Sequence, residues 1–205
     1  MSTYKLTYFN ARGRAEVCRL IFAAAGQKYE EIRYELHEWP SHKHETPLGH
    51  VPVLEFEGVK LPQSVSIARF LAKQFQLAGR DNFEQAKVDA VGDTIGDAMS
   101  KYMSVRFERD EIKRREVTKK FLDEELSKYL QNLEMLGKLY SNGGPFFVGN
   151  QLTWVDLFFY DLGEKLLELD DNSLNNYRWL RQNRAEVEKQ PRIVAYLKTR
   201  PKTPF

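Results

Sequence analysis

Residues 4–9, YKLTYF, alternate in character closely enough to predict a strand buried on one face. The period then changes. In AEVCRLIFAAAG, the residues Val17, Leu20, Ile21 and Ala24 fall on one helical face, and Gly26 stands where a left-handed C-cap belongs. Residues 29–34, YEEIRY, read as a second strand. A strand–helix–strand unit implies parallel pairing through a right-handed crossover. Beyond the loop HEWPSHKHETPLGH, VPVLEFEGVKL predicts a hairpin: Val53–Phe56, a turn at Glu57-Gly58, then Val59–Leu61. SVSIARFLAKQF predicts a second helix from Ser64. From Phe83 onward the strand signals stop. Helical patterns cover 84–109 and 114–139, the Gly/Pro loop SNGGPFFVGNQLT interrupts them, and shorter helices are predicted at 154–170, 176–188 and 191–199.

The βαβ-ββα order is that of a thioredoxin-like domain. The predicted class is therefore α/β plus all-α, with residues 1–77 thioredoxin-like, residues 83–205 helical and LAGRDN (77–82) as linker. At 205 residues with 42% hydrophobic side chains, the chain is long and apolar enough to bury a real core, which argues against disorder. The 31 basic and 29 acidic residues nearly cancel, and acids interrupt even the most basic run, RFERDEIKRREVTKK, so a solvated helix face is expected rather than a nucleic-acid surface. A lone cysteine, Cys18, allows no internal disulfide, and no stretch approaches membrane-spanning length; a soluble, cytoplasmic protein is expected, with no membrane partner. His42 and His44 form an H-x-H pair without neighbouring thiolate or further imidazole ligands, so no metal is expected.

The chemistry-bearing positions cluster in the first eighty residues. Tyr8 ends the first strand and runs into Asn-Ala-Arg-Gly-Arg before a helix, a place where helix amides converge. It reads either as a core residue with a wet tip or as a proton or hydrogen-bond donor. Val51-Pro52 opens a strand, and a cis bond there would turn the Val51 backbone outward toward an extended peptide. Ser64 occupies an N-cap position, and with Gln63 it could hold a carboxylate at the helix N-terminus. Arg14, Trp39 and Lys43 offer an indole N–H and two cations for a second carboxylate. Asp93 and Asp97 share a helix face with Lys101 four residues on, and Gly92 and Gly96 suggest the approach of another backbone. Thr153 and Asp156 form a capping-box pattern, and Cys18 reads as a packed thiol within its helix.

Taken together, YKLTYFNARGRAE, EWPSHK, GHVPVLE and LPQSVSIARFLA resemble the sigma class of cytosolic glutathione transferases. VDAVGDTIGDAMS, FFVGNQLTWVDL and YLKTRPKTPF extend that resemblance over nearly the whole chain. It implies a homodimer that uses glutathione as cosubstrate and attacks hydrophobic electrophiles, with Tyr8 as the catalytic phenol. Around glutathione it implies Arg14, Trp39, Lys43, Gly49, His50, Val51, Pro52, Gln63 and Ser64, with Asp97 reaching in from the other subunit. For the second substrate it implies Phe9, Gly13, Met99, Met103 and Ser104. The class also contains a glutathione-dependent prostaglandin D synthase and the cephalopod lens crystallins. Relative to that synthase, Gly96 replaces a metal-binding aspartate, Ser104 stands near a wall tryptophan, and His50 replaces a lysine. Only four methionines are present, against the methionine-rich habit of lens members. General conjugation is thus the expected activity, prostaglandin isomerisation the alternative and a refractive role the second alternative.

Overall fold

A computed structural model describes residues 3–203. Four strands form one sheet in the order β2-β1-β3-β4: β1 (Tyr4–Phe9), β2 (Glu30–Tyr34), β3 (Val53–Phe56) and β4 (Val59–Pro62). β1 runs parallel to β2, with Lys5 opposite Glu30 and Phe9 opposite Tyr34, and antiparallel to β3, with Thr7 opposite Val53. The crossover is α1 (Glu16–Ala25), entered through a single 3-10 turn at Gly13–Ala15 and closed by Gly26 at φ 67°. The period-2 and period-3.6 patterns meet in a core of Leu6, Leu20, Ile21, Phe22 and Leu54 against Ile67, Ala68 and Leu71 of α3 (Ser64–Gln74).

Two local expectations change. The loop after β2 holds a helical turn, α2 (Trp39–His42), followed by a 3-10 turn at Lys43–Glu45. Trp39 packs edge-on against Phe9 at 5.5 Å, and His42 stacks on Tyr34 at 4.2 Å, tertiary contacts that no local propensity announces. Ser64 is the first helical residue of α3 and not its N-cap; that position belongs to Gln63, whose φ of 76° lies in the left-handed region.

The helical segments are α4 (Asn82–Arg106), α5 (Glu111–Lys120), α6 (Leu126–Tyr140), α7 (Trp154–Leu169), α8 (Arg178–Glu188) and α9 (Pro191–Thr199). The single helix expected over 114–139 is two, joined by a wide turn at Phe121–Glu125. Asp81 caps α4, accepting from the amides of Phe83 and Glu84. Two compact units result. One runs to Ala78 and resumes at Glu188; the other is Gly79–Val187. α9 therefore packs with the first unit, although the sequence had assigned it to the helical domain. No helix among the described residues is long and apolar enough to cross a membrane.

In the second unit, Gly92 has a nearby reason: a Cβ there would lie 2.5 Å from the buried Trp154 indole. The expected approach of a foreign backbone is not needed at that position, and Gly96 faces open space. Lys101 turns from Asp97 to pair with Glu125 at 2.8 Å.

The fully buried Asp156 organises the start of α7. It accepts from the Thr153 amide and hydroxyl, each at 2.8 Å, from the Phe147 amide at 2.8 Å and from Asn183 Nδ2 at 2.7 Å. Burial pushes its pKa up against the pull of these donors. Asp156→Ala would take the carboxylate from four donors in a fully buried site, of which Asn183 Nδ2 keeps a second acceptor, the Pro145 carbonyl at 2.9 Å. It is expected to lower unfolding free energy by about 3–5 kcal/mol, measured by urea denaturation. A loss below about 1 kcal/mol would mean that water replaces the carboxylate at little cost.

Candidate functional site

β1, an inner strand of the sheet, carries Tyr8 near its C-terminal end, where the chain turns toward α1. The phenol is 6% exposed, and its oxygen accepts from the Arg14 amide at 2.9 Å. That amide belongs to the 3-10 turn, where backbone N–H groups precede any intrahelical acceptor. The approach requires residue 13 to lack a side chain. Gly13 sits at φ 45°, and a Cβ on it would lie 2.7 and 2.9 Å from Tyr8 Cε1 and Cζ and nearer still to the hydroxyl. Gly13, expected only on the second-substrate side, is thus the residue that admits the phenol.

A buried cation braces the same turn. Arg19, on α1 and 1% exposed, donates through Nη1 to the carbonyls of Ala11 (2.7 Å) and Arg12 (3.1 Å). Its guanidinium lies 5.7 Å from the centre of the Tyr8 ring. Glu16 and Glu31 pair with it at 3.1 and 2.6 Å. Burial opposes its charge, but these two carboxylates outweigh that and raise its pKa. Sequence reading missed Arg19. The available signal was an arginine on α1 between Val17 and Leu20, where a solvated charge has no place.

An aromatic row continues from Tyr8. Phe9 lies 5.5 Å from Tyr8 and 5.5 Å from Trp39, which it holds edge-on, so Phe9 supports α2. Lys43 is exposed, and its methylenes lie over Gly49, where a Cβ would come within 3.2 Å of Cε. The Val51-Pro52 bond is cis, and Val51 lies beyond Thr7–Val53, the last paired residues of β1 and β3. Gln63 is exposed, Ser64 half-buried, and the Ser64 carbonyl lies 3.8 Å from the buried Cys18 Sγ. Cys18 is a packed thiol at the junction of α1 and α3. Arg14 and His50 are exposed.

The remaining predicted positions belong to α4 in the other unit. Met99 and Met103 are buried, while Asp97 and Ser104 are exposed. The Ser104 hydroxyl donates back to the Lys101 carbonyl at 2.7 Å. Among the described residues, no cluster of three His, Cys, Asp or Glu is arranged to hold a metal ion.

Two family models match the chain: the N-terminal domain of glutathione S-transferase over residues 4–73 and its C-terminal domain over residues 96–200. Hematopoietic prostaglandin D synthase of Gallus gallus is 39% identical over 203 residues, covering 99% of both chains. S-crystallin SL11 of Nototodarus sloanii is 35% identical over 206 residues and the whole of both chains. Among solved structures, monomeric Na-GST-3, a glutathione S-transferase from the hookworm Necator americanus, superposes with a TM-score of 0.90 at 33% identity. That match covers 99% of this chain and 100% of the other.

The packing at Gly13 makes a structural test. Gly13→Ala is expected to cost about 1–3 kcal/mol of stability, from the left-handed φ and the overpacking. In a crystal structure of the variant, the Tyr8 oxygen should move beyond about 3.5 Å from the Arg14 nitrogen, out of bonding range. An unchanged bond would show that the turn yields more easily than the phenol.

Proposed function

Since the chain belongs to the glutathione S-transferase family and is a transferase that takes glutathione as substrate, we propose that Tyr8 donates a hydrogen bond to the glutathione thiol and holds it as thiolate. The observation that carries this reading is the bond from the Arg14 amide to the Tyr8 oxygen. An amide donating into that oxygen polarises the phenol and makes its own O–H a better donor. The thiolate then attacks an electrophilic carbon, forming a sulfur–carbon bond as the leaving group departs with its electron pair. An unperturbed thiol, pKa about 8.5, is only a few per cent ionised at neutral pH. Lowering it by about two units is worth ~2.7 kcal/mol and makes most of the bound thiol nucleophilic.

On this reading the protein is a sigma-class enzyme acting as a cytoplasmic homodimer. Residues 1–77 hold glutathione, and residues 83–205 carry most of the second-substrate pocket. The Val51 backbone, freed beyond the last β1–β3 pair, bonds the cysteinyl unit beside Pro52. Gln63 and Ser64, where α3 begins, take the γ-glutamyl carboxylate. Trp39 and Lys43, with Arg14, Gly49 and His50 nearby, surround the tripeptide and take its glycine carboxylate. Asp97, exposed and without an ion-pair partner among the described residues, serves the γ-glutamyl ammonium of the other subunit. Phe9, Gly13, Met99, Met103 and Ser104 line the electrophile's side.

The similarity to a prostaglandin D synthase brings a second reading, isomerisation of an endoperoxide on the same thiolate. Ser104 and Gly96 favour general conjugation over it. A missing aromatic wall removes on the order of 1–3 kcal/mol of specific binding, enough to reverse a substrate preference.

One set of assays tests both readings. With glutathione and chlorodinitrobenzene, Tyr8→Phe is expected to lower turnover about ten- to a thousand-fold while glutathione affinity changes only a few-fold. In the parent protein chlorodinitrobenzene should be preferred to prostaglandin H2, and magnesium should leave either rate nearly unchanged. Parent-like turnover in Tyr8→Phe would make Tyr8 a core residue with a wet tip. A higher specificity constant for prostaglandin H2 would favour the isomerase.

A further inference from the structure

α9 clamps α1 at both ends. At the C-terminal end, Arg192 Nη1 donates to the carbonyls of Ala24 (3.1 Å) and Ala25 (2.8 Å) beside Gly26, the favourable pole for a cation. At the N-terminal end, the Glu16 carboxylate is 1% exposed and points toward the segment at and after α9. The Tyr196 hydroxyl donates to its Oε1 at 2.9 Å, and Arg200 Nη1 donates to the same oxygen at 3.1 Å. The other oxygen, Oε2, accepts from Arg19 Nη1 at 3.1 Å. That same nitrogen holds the Ala11 and Arg12 carbonyls of the Tyr8 turn. Also facing Arg19 among the described residues are Glu31, bonded to Nε at 2.6 Å, Arg33, which pairs with Glu31 at 3.0 Å, and the Tyr29 phenol, whose pKa burial and these carboxylates push up.

A carboxylate this deeply buried is costly unless every lone pair is answered. Here the answers come from two directions, so the geometry of Arg19 depends on what Tyr196 and Arg200 do to Glu16. Without Tyr196 the Glu16 carboxylate is drawn toward Arg200 and the guanidinium follows it. The Ala11 and Arg12 carbonyls then lose their fixed donor, and the turn that aims Tyr8 loosens.

We propose that Tyr196, seconded by Arg200, is a positioning residue for the reaction: through Glu16 and Arg19 it fixes the turn that holds the Tyr8 hydroxyl. None of these four groups touches the thiol. Their influence is on where the phenol points, and this inference rests on Tyr8 being the thiol's hydrogen-bond donor.

The test is titration of the bound glutathione thiol by its ultraviolet thiolate band in the parent, Tyr196→Phe, Arg200→Gln, Tyr8→Phe and Tyr8→Phe/Tyr196→Phe proteins. Tyr196→Phe is expected to raise the midpoint by about half to one pH unit, three- to ten-fold less thiolate below the midpoint. Arg200→Gln should shift it in the same direction by less, with glutathione affinity little changed in both. In the Tyr8→Phe background, Tyr196→Phe should add nothing. If Tyr8→Phe moves the midpoint while Tyr196→Phe and Arg200→Gln do not, α9 has no positioning role and the Tyr8 reading stands. If Tyr196→Phe shifts the midpoint equally with and without the Tyr8 hydroxyl, its effect bypasses Tyr8 and the proposal fails. If Tyr8→Phe itself leaves the midpoint in place, the underlying reading of Tyr8 falls first.

Discussion

A phenol and a helix amide can meet at the end of β1 only because residue 13 has no Cβ. With Gly13 at φ 45°, the Tyr8 ring occupies the space a Cβ on residue 13 would fill, and its oxygen reaches the Arg14 amide at 2.9 Å. The rest of the first unit serves that contact. Parallel pairing with β2 and antiparallel pairing with β3 fix the strand, and the 3-10 turn at Gly13–Ala15 that leads into α1 supplies the amide. Arg19 then ties the turn's carbonyls to the helix interior. Charge, hydrogen bonding and packing all restrict the same few atoms, so the phenol is held in place before any ligand arrives.

Buried polar groups divide the work between the two units. In the helical unit Asp156 satisfies four donors at the head of α7, from the loop before it, its N-cap and Asn183 of α8, all inside one unit, which is the behaviour of a folding device. In the first unit Glu16 and Arg19 join residues far apart in sequence, from Ala11 to Arg200. A network of that reach makes the geometry of a turn depend on a distant segment. Its members would seem ornamental if stability alone were considered, because apolar side chains of similar volume could fill the space without the desolvation penalty.

Sequence periodicity made the βαβ-ββα order, both long helical regions, the Gly26 cap and the Thr153/Asp156 box legible, because each is encoded within a few residues. The site was legible as types of residue and less so as geometry. Tyr8 could be placed at a strand end, but Gly13 could not be read as the residue that admits it, since the collision involves a ring five positions earlier. α2 depends on Phe9 holding Trp39, and the wide turn at Phe121–Glu125 interrupts an otherwise continuous helical pattern. Lys101 was read as a partner for Asp97 at helical spacing, yet Glu125, distant in sequence, offered the nearer carboxylate. These were tertiary choices among locally equivalent options.

Whether the Tyr8 turn poises a thiol is decided most directly in the unmodified protein. Glutathione is bound at saturation, and the thiolate absorbance of the complex is followed against pH beside that of free glutathione. A midpoint lowered by about two units from the ordinary thiol value near 8.5 is expected. A midpoint equal to that of free glutathione would contradict the role assigned to Tyr8, however well the turn is built.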